Sequence, residues 1–92
     1  EIKKITQSAI APLIEYEEQR GIDLIHTFIV YDQMKRNVSK AARKLNLHRQ
    51  SLLYRLNKIE KLTNLSVDKP DDAFLLNVSI KVWQTSVMTN ED

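Results

Sequence analysis

The 92-residue chain is long enough for one domain, residues 1–92, and too short for a second hydrophobic core. With 42% hydrophobic and 28% charged residues, its composition is that of a folded globular protein. The absence of cysteine excludes disulfides and cysteine-ligated zinc, and it indicates a reducing, cytoplasmic setting. No apolar run approaches the roughly 18 residues of a membrane span, so we expect no membrane partner. The chain begins with Glu1 and not Met, which indicates a piece of a longer protein.

One glycine and two prolines leave few places for tight β-turns, so the sequence predicts a small all-α domain. The first helix is expected over about residues 2–19, and Gly21 is expected to end it. Pro12 lies inside this helix and predicts either a kink or two short segments. Its apolar residues recur at helical spacing: Ile2, Ile5, Ala9, Leu13 and Tyr16.

Polar caps mark the next two helices. Asp23 is expected to cap a second helix that reaches about Met34. Asn37 is a suitable cap for a short third helix over residues 38–45. Asn46 follows, and asparagine tolerates the left-handed conformation that a tight turn between helices requires.

Two further helices complete the predicted fold. The fourth is expected over about residues 49–62, with a core-facing stripe of Leu52, Leu56, Ile59 and Leu62. Residues 63–70 are a polar connection, and the fifth helix is expected to start at Asp71 or Asp72 and to reach about Met88. The side chains predicted to face inward on the fifth helix are Phe74, Leu75, Val78, Val82 and Trp83, and Trp83 could serve a dimer surface instead.

The small net charge of +2 conceals a strong segregation of charge along the chain. Residues 35–61 carry nine basic side chains and one acidic side chain, Glu60. Residues 1–34 carry three basic and six acidic side chains, and residues 62–92 carry two and five. Solvated helix faces usually mix both signs, whereas uncompensated positive charge is typical of a surface that binds a polyanion.

The two short helices of the basic region have the layout of a helix-turn-helix motif over residues 38–61. Ala42 lies where only a small side chain lets the helices approach, Asn46 lies at the turn, and apolar residues fall at core positions: Leu47, Leu52 and Leu56. Residues 37–56, NVSKAARKLNLHRQSLLYRL, resemble the C-terminal helix-turn-helix of PucR/CdaR-type bacterial transcription regulators and, more distantly, the DNA-binding end of the factor for inversion stimulation.

This resemblance extends over nearly the whole chain and implies the C-terminal DNA-binding domain of a larger, dimeric, effector-responsive regulator. The chain departs from the family pattern at Gln50 and Ser51, where Asn and Thr are usual. It also has Thr63 and Asn64 where a glycine is common.

Residues 49–62 are the expected recognition helix, which would lie in the major groove of double-stranded DNA. The expected base-reading residues are Arg49, Gln50 and Tyr54, because Arg suits guanine and Gln suits adenine. Expected phosphate contacts are Arg36, Ser39, Lys40, Arg43, His48, Ser51, Arg55 and Lys58. Arg55 could instead be tied to an acid on a neighbouring helix, and His48 could cap the recognition helix.

The sequence favours a binding function over an enzymatic one. Two histidines without cysteines do not make a metal-ligand set, and one glycine cannot form a phosphate-binding loop, so no metal or cofactor is expected. The acidic pairs 17–18 and 71–72 are sequence neighbours, which diverge on a helix and do not converge on a substrate.

The rival function is a helical interaction module whose basic surface binds an acidic protein. A homodimer is expected, and the region upstream of Glu1 is one place where its contacts could lie.

Overall fold

The computed structural model describes the backbone of residues 2–89 and the side chains of residue 4 and residues 7–86. Over these residues the chain forms five α-helices and no strand, which confirms the all-α prediction. The helices are α1 (Ile2–Arg20), α2 (Leu24–Gln33), α3 (Val38–Leu45), α4 (Arg49–Thr63) and α5 (Pro70–Thr89).

The first helix, α1, is continuous through Pro12. The predicted alternative of two short segments is therefore wrong. Ala9, Ile10 and Leu13 are buried on either side of the proline, and this packing holds the helix together where one backbone hydrogen bond is missing. Gly21 ends the helix as expected, at φ +70°, with its N–H donating to the carbonyl of Glu17 at 2.8 Å. The side chains of Ile2 and Ile5 lie outside the described residues.

Two carboxylates cap the start of α2. The predicted cap, Asp23, accepts the N–H of His26 at 2.8 Å. Glu17 of α1 accepts the N–H groups of Leu24 at 2.7 Å and Ile25 at 2.6 Å. The first free N–H groups of α2 are thus satisfied by side chains, which fixes the helix against α1.

The connection into α3 and the end of α3 use left-handed backbone at residues other than glycine. Lys35 and Arg36 have φ of 56° and 60° and turn the chain sharply after α2. Asn37 caps α3 through the N–H of Lys40 at 2.9 Å, and Asn46 ends α3 at φ 58° and ψ 45°. Both asparagine predictions are confirmed, as are the bounds of α3.

The core lies where α2, α3 and α4 pack against one another, and α1 packs against both α4 and α5. The largest fully buried apolar side chains are Leu13, Leu24, Phe28, Leu52, Ile59 and Leu76. The predicted stripe of α4 is confirmed at Leu52, Leu56 and Ile59, whereas Leu62 is half-buried. The motif helices are therefore held from behind by α1 and α2.

The inward face of α5 differs from the predicted one. Its buried residues are Ala73, Leu76, Ser79 and Ile80, and the helix packs mainly against α1. Phe74 is 70% exposed, so its predicted place in the core is wrong. Three other residues predicted to face inward are only half-buried: Leu75, Val78 and Val82. Trp83 is half-buried and packs against the core.

Two apolar stripes explain this error. Positions 74, 75, 78 and 82 form a second stripe on the side of α5 opposite the buried one, because each residue turns the helix by about 100°. Two of the buried positions hold small residues, Ala73 and Ser79, which an apolar pattern does not single out. The helix also begins one or two residues early, at Pro70, a residue suited to the first helical position.

Candidate nucleic-acid interface

The turn between α3 and α4 sets the angle between the two motif helices. The N–H of Leu47 donates to the carbonyl of Ala42 at 2.8 Å and that of Asn46 donates to Arg43 at 3.1 Å, which closes the end of α3. Ala41 and Ala42 are buried against the neighbouring helices. The small side chains and the left-handed Asn46 therefore bring α3 and α4 close together, as the sequence predicts.

The outer face of α4 is polar and open to solvent. Helical spacing of 100° per residue places one row of residues opposite the buried stripe, and all of them are exposed: Gln50, Tyr54, Asn57 and Lys61. Leu53 lies beside this row and is 38% exposed. Asn57, Lys61 and Leu53 were not among the predicted site residues, although the same helical spacing applied to residues 49–62 identifies them.

The first turn of α4 holds the expected base-reading residues Arg49 and Gln50, both exposed. Arg49 lies beside the start of α3, with its Nη1 at 3.5 Å from the hydroxyl of Ser39. His48 occupies the N-cap position with extended backbone, yet its side chain makes no capping hydrogen bond. The predicted capping role of His48 is thus wrong, and its exposed imidazole lies at the same end of α4 as Arg49.

Arg55 lies on a different side of α4 from the exposed row. Its Nη1 donates to the Thr27 hydroxyl at 3.1 Å and to the Asp23 carbonyl at 3.3 Å, and the side chain is half-buried. The neighbouring helix does bind Arg55, but through a carbonyl and a hydroxyl where the sequence suggested an acidic side chain. These bonds tie α4 to the first turn of α2.

The basic side chains of the motif keep their charge open to solvent. Seven of the nine in residues 35–61 are exposed, and Arg55 and Lys58 are half-buried. Within the described side chains, the ion pair is Arg36 with Asp32, at 3.9 Å. Glu60, the acid of this region, accepts the N–H of Val67 at 2.9 Å. The positive charge of α3 and α4 is therefore largely uncompensated by carboxylates of the described chain.

A pair of tyrosines joins α4 to α1. The hydroxyl of Tyr54 lies 3.3 Å from that of Tyr16. The hydrogen bond with Tyr16 and the positive charge of Lys58 lower the pKa of Tyr54 below its ordinary value. The hydrogen bond with Tyr54 raises the pKa of Tyr16. The sequence placed Tyr16 in the helical stripe of α1 but predicted neither its position beside this face nor its contact with Tyr54, because the two residues lie 38 positions apart and only the fold brings them together.

Among the described side chains, no three His, Asp or Glu residues converge as a metal site would require. Across the described helices, none has the length and apolar character needed to cross a bilayer.

Two short helices at a tight left-handed turn, packed on a supporting helix and carrying an open basic face, define a helix-turn-helix domain. The chain belongs to the family of PucR C-terminal helix-turn-helix domains, whose model matches residues 24–82. The members of this family are helix-turn-helix domains of transcription regulators, and the family is not an enzyme class.

A curated relative is the purine catabolism regulatory protein of Bacillus subtilis (strain 168), which is 30% identical over 82 residues. The match covers 89% of this chain and 15% of the relative, so the chain spans a small part of that protein's length. No solved structure matches the chain significantly.

Proposed function

We propose that the chain binds double-stranded DNA in a sequence-specific manner, with α4 in the major groove. The observation that carries this proposal is the exposed face of the motif, which joins uncompensated cations to a row of polar side chains on α4. A major groove about 12 Å wide admits one α-helix of this kind. Membership of the PucR helix-turn-helix family supports a role in transcription regulation.

Base reading is assigned to the first two turns of α4. Arg49 can donate two hydrogen bonds to guanine O6 and N7, and Gln50 can bond adenine N6 and N7. Both are exposed at the end of the helix that lies closest to α3. Tyr54 follows one turn later, where its ring can contact a base edge while its hydroxyl remains bonded to Tyr16.

Phosphate contacts are assigned to side chains of the turn before α3, of α3 and of α4, most of them exposed. The N-terminus of α3 adds free N–H groups, which attract phosphate. The proposed contacts are Arg36, Ser39, Lys40, Arg43, His48, Ser51 and Lys58. We assign Arg55 a positioning role instead, because its Nη1 is bonded to Asp23 and Thr27.

The chain would act as the C-terminal DNA-binding module of a longer cytoplasmic regulator that forms a homodimer. The length of the Bacillus subtilis relative supports the first part, since the matched region is 15% of that protein. A dimer would place two copies of α4 in successive major grooves, about 34 Å apart, and so double the contacts available for specificity.

The second candidate function is binding of an acidic protein by the same basic face. Selection from a pool of random duplexes tests the choice, with polyglutamate as a competitor. Sequence-specific binding predicts enrichment of a common motif and displacement by duplex at far lower charge concentration than by polyglutamate. Recovery of unrelated sequences, with equal displacement by both polyanions, would favour the acidic-protein function.

A further inference from the structure

Four side chains from α1 and α4 form a cluster beside the exposed row of α4: Tyr16, Arg20, Tyr54 and Lys58. We call it the tyrosine–cation cluster. Its α1 members, Tyr16 and Arg20, lie outside the segment matched by the family model, residues 24–82. The helix that carries them is not part of the helix-turn-helix motif.

The geometry of the cluster brings positive charge and hydroxyl groups together. The Lys58 ammonium lies 5.4 Å from the centre of the Tyr16 ring and 5.8 Å from that of Tyr54. The Arg20 guanidinium lies 5.9 Å from the Tyr16 ring. These distances are within the range of cation–π attraction, which holds the two cations beside the hydroxyl pair.

The hydroxyl pair of the cluster leaves one hydrogen-bond donor unused. Of the two hydroxyls, one donates to the other, so the second keeps a proton for an outside acceptor. Arg20 and Lys58 supply further charged donors, and the charges of Lys58, Arg20 and Lys61 all lower the pKa of Tyr54. Several donors and two cations at one exposed place suit a group with several acceptor oxygens and a negative charge.

We propose that the tyrosine–cation cluster binds a backbone phosphate of the duplex, so that α1 contacts the DNA beside the groove occupied by α4. This inference rests on the proposed function. Arg20 of α1 would be a phosphate contact from outside the motif, and Tyr16 would orient the Tyr54 hydroxyl toward the same phosphate. Contacts of this kind position the protein and carry no sequence information.

The test measures the salt dependence of duplex affinity for the 92-residue chain by fluorescence anisotropy. The variants are Arg20→Gln, Tyr16→Phe and the control Lys4→Gln. Lys4 is an exposed cation on the same helix, 16 residues away and thus about 24 Å along its axis. Arg20 is also exposed, so its replacement leaves the core intact.

We expect Arg20→Gln to weaken binding severalfold and to reduce the log-log salt slope by about 0.9, the change for one lost phosphate contact. Lys4→Gln should leave the slope unchanged. Tyr16→Phe should weaken binding with the slope and the melting temperature unaltered, because it removes a hydroxyl and no charge.

Equal slopes for Arg20→Gln and Lys4→Gln, in the presence of normal salt-dependent binding by the unmodified chain, would overturn the cluster as a phosphate site and leave the proposed function standing. A lack of salt-dependent duplex binding by the unmodified chain would instead contradict the proposed function and the cluster with it.

Discussion

Arg55 on α4 donates a hydrogen bond of 3.1 Å to the hydroxyl of Thr27, a fully buried residue of α2. The Thr27 hydroxyl in turn donates to the carbonyl of Asp23, the residue that caps α2. The orientation of α4 therefore depends on the first turn of α2 as well as on α3. Arg55 is one of nine basic residues in the 35–61 segment, yet these hydrogen bonds give it a structural role.

Arg55→Ala should lower the free energy of unfolding by about 1 to 2 kcal/mol, because it leaves the buried Thr27 with one bond fewer. Lys40→Ala is the matched control, since Lys40 is exposed on α3 and should change stability by less than about 0.5 kcal/mol. Urea denaturation followed by circular dichroism measures both.

The order of the two variants should be reversed in the salt dependence of duplex binding, where Lys40→Ala should have the larger effect. Lys40→Ala should reduce the log-log salt slope of duplex binding by about 0.9, and Arg55→Ala should change it less. If Arg55→Ala reduced the salt slope by the full value of about 0.9 without loss of stability, Arg55 would be a phosphate contact, as the sequence predicted.

Arg49→Ala should cost roughly 1 to 3 kcal/mol of binding free energy on a selected duplex and flatten the preference at one base pair. Arg49 is exposed in the first turn of α4, where an arginine can bond guanine. Lys40→Ala should weaken binding to selected and random duplexes alike. Competition titrations with single-substituted duplexes distinguish the two, and identical losses on both kinds of DNA would show that Arg49 does not read a base.

Ala42→Leu should destabilise the chain by about 1 to 3 kcal/mol through overpacking, because Ala42 is 5% exposed at the meeting of the motif helices. Ala11→Leu is the control, since Ala11 is an exposed helical residue of α1. Thermal unfolding should show a lower melting temperature for the first variant and a nearly unchanged one for the second. An unaltered melting temperature for Ala42→Leu would place Ala42 outside the helix contact.

Leu76→Ala should cost about 2 to 5 kcal/mol of stability, because Leu76 is a fully buried residue of α5. Phe74→Ala removes a larger side chain but should change stability by less than about 0.5 kcal/mol, since Phe74 is 70% exposed. Denaturant unfolding of the two variants compares the two stripes of α5. The reverse order of effects would mean that the predicted inward face was correct.

Glu17 should give the stability of the chain a specific pH dependence. Partial burial raises the pKa of Glu17, the nearby charge of Asp23 adds to this, and the N–H groups of Ile25 and Leu24 oppose it. The folded chain therefore holds the proton more tightly than the unfolded chain. The contribution of Glu17 to the unfolding free energy should fall as pH rises from the ordinary glutamate pKa through the raised one.

Glu17→Gln keeps an acceptor oxygen for α2 and removes the titration, so the stability difference, unmodified chain minus variant, should shrink or reverse as pH rises through that window. Glu17→Ala should cost about 1 to 2 kcal/mol below this pH window, as expected for loss of a cap, and its cost should also decrease as pH rises through the window. Glu18→Gln, at the exposed neighbouring position, serves as the control. A difference for Glu17→Gln that grows with pH would contradict the raised pKa.

Local signals in the sequence predicted the features that depend on local chemistry. Asp23 and Asn37 cap helices wherever their side chains meet a free N–H, and Asn46 adopts the left-handed turn without help from distant residues. The bounds of α3 could therefore be predicted to the residue. The packed stripe of α4 could also be predicted, because the opposite face of the helix is polar and only one side carries apolar residues that can face a core.

Features that depend on the meeting of distant segments could not be predicted in this way. The α5 helix has apolar residues on two sides, so spacing alone does not tell which side meets α1. Tyr16 and Tyr54 are far apart in the chain, and their contact follows from the packing of α1 on α4. The same is true of Arg55, whose partner Thr27 is a buried polar residue within an apolar helix.

Methylation interference on a selected duplex tests the central claim, major-groove binding by α4, most directly. Guanine N7 lies in the major groove and adenine N3 lies in the minor groove, so methyl groups at these atoms block the two grooves separately. We predict that N7 methylation of guanines within the site abolishes binding and that N3 methylation of adenines there has little effect. Interference by adenine N3 methylation alone, or by neither modification, would contradict the account.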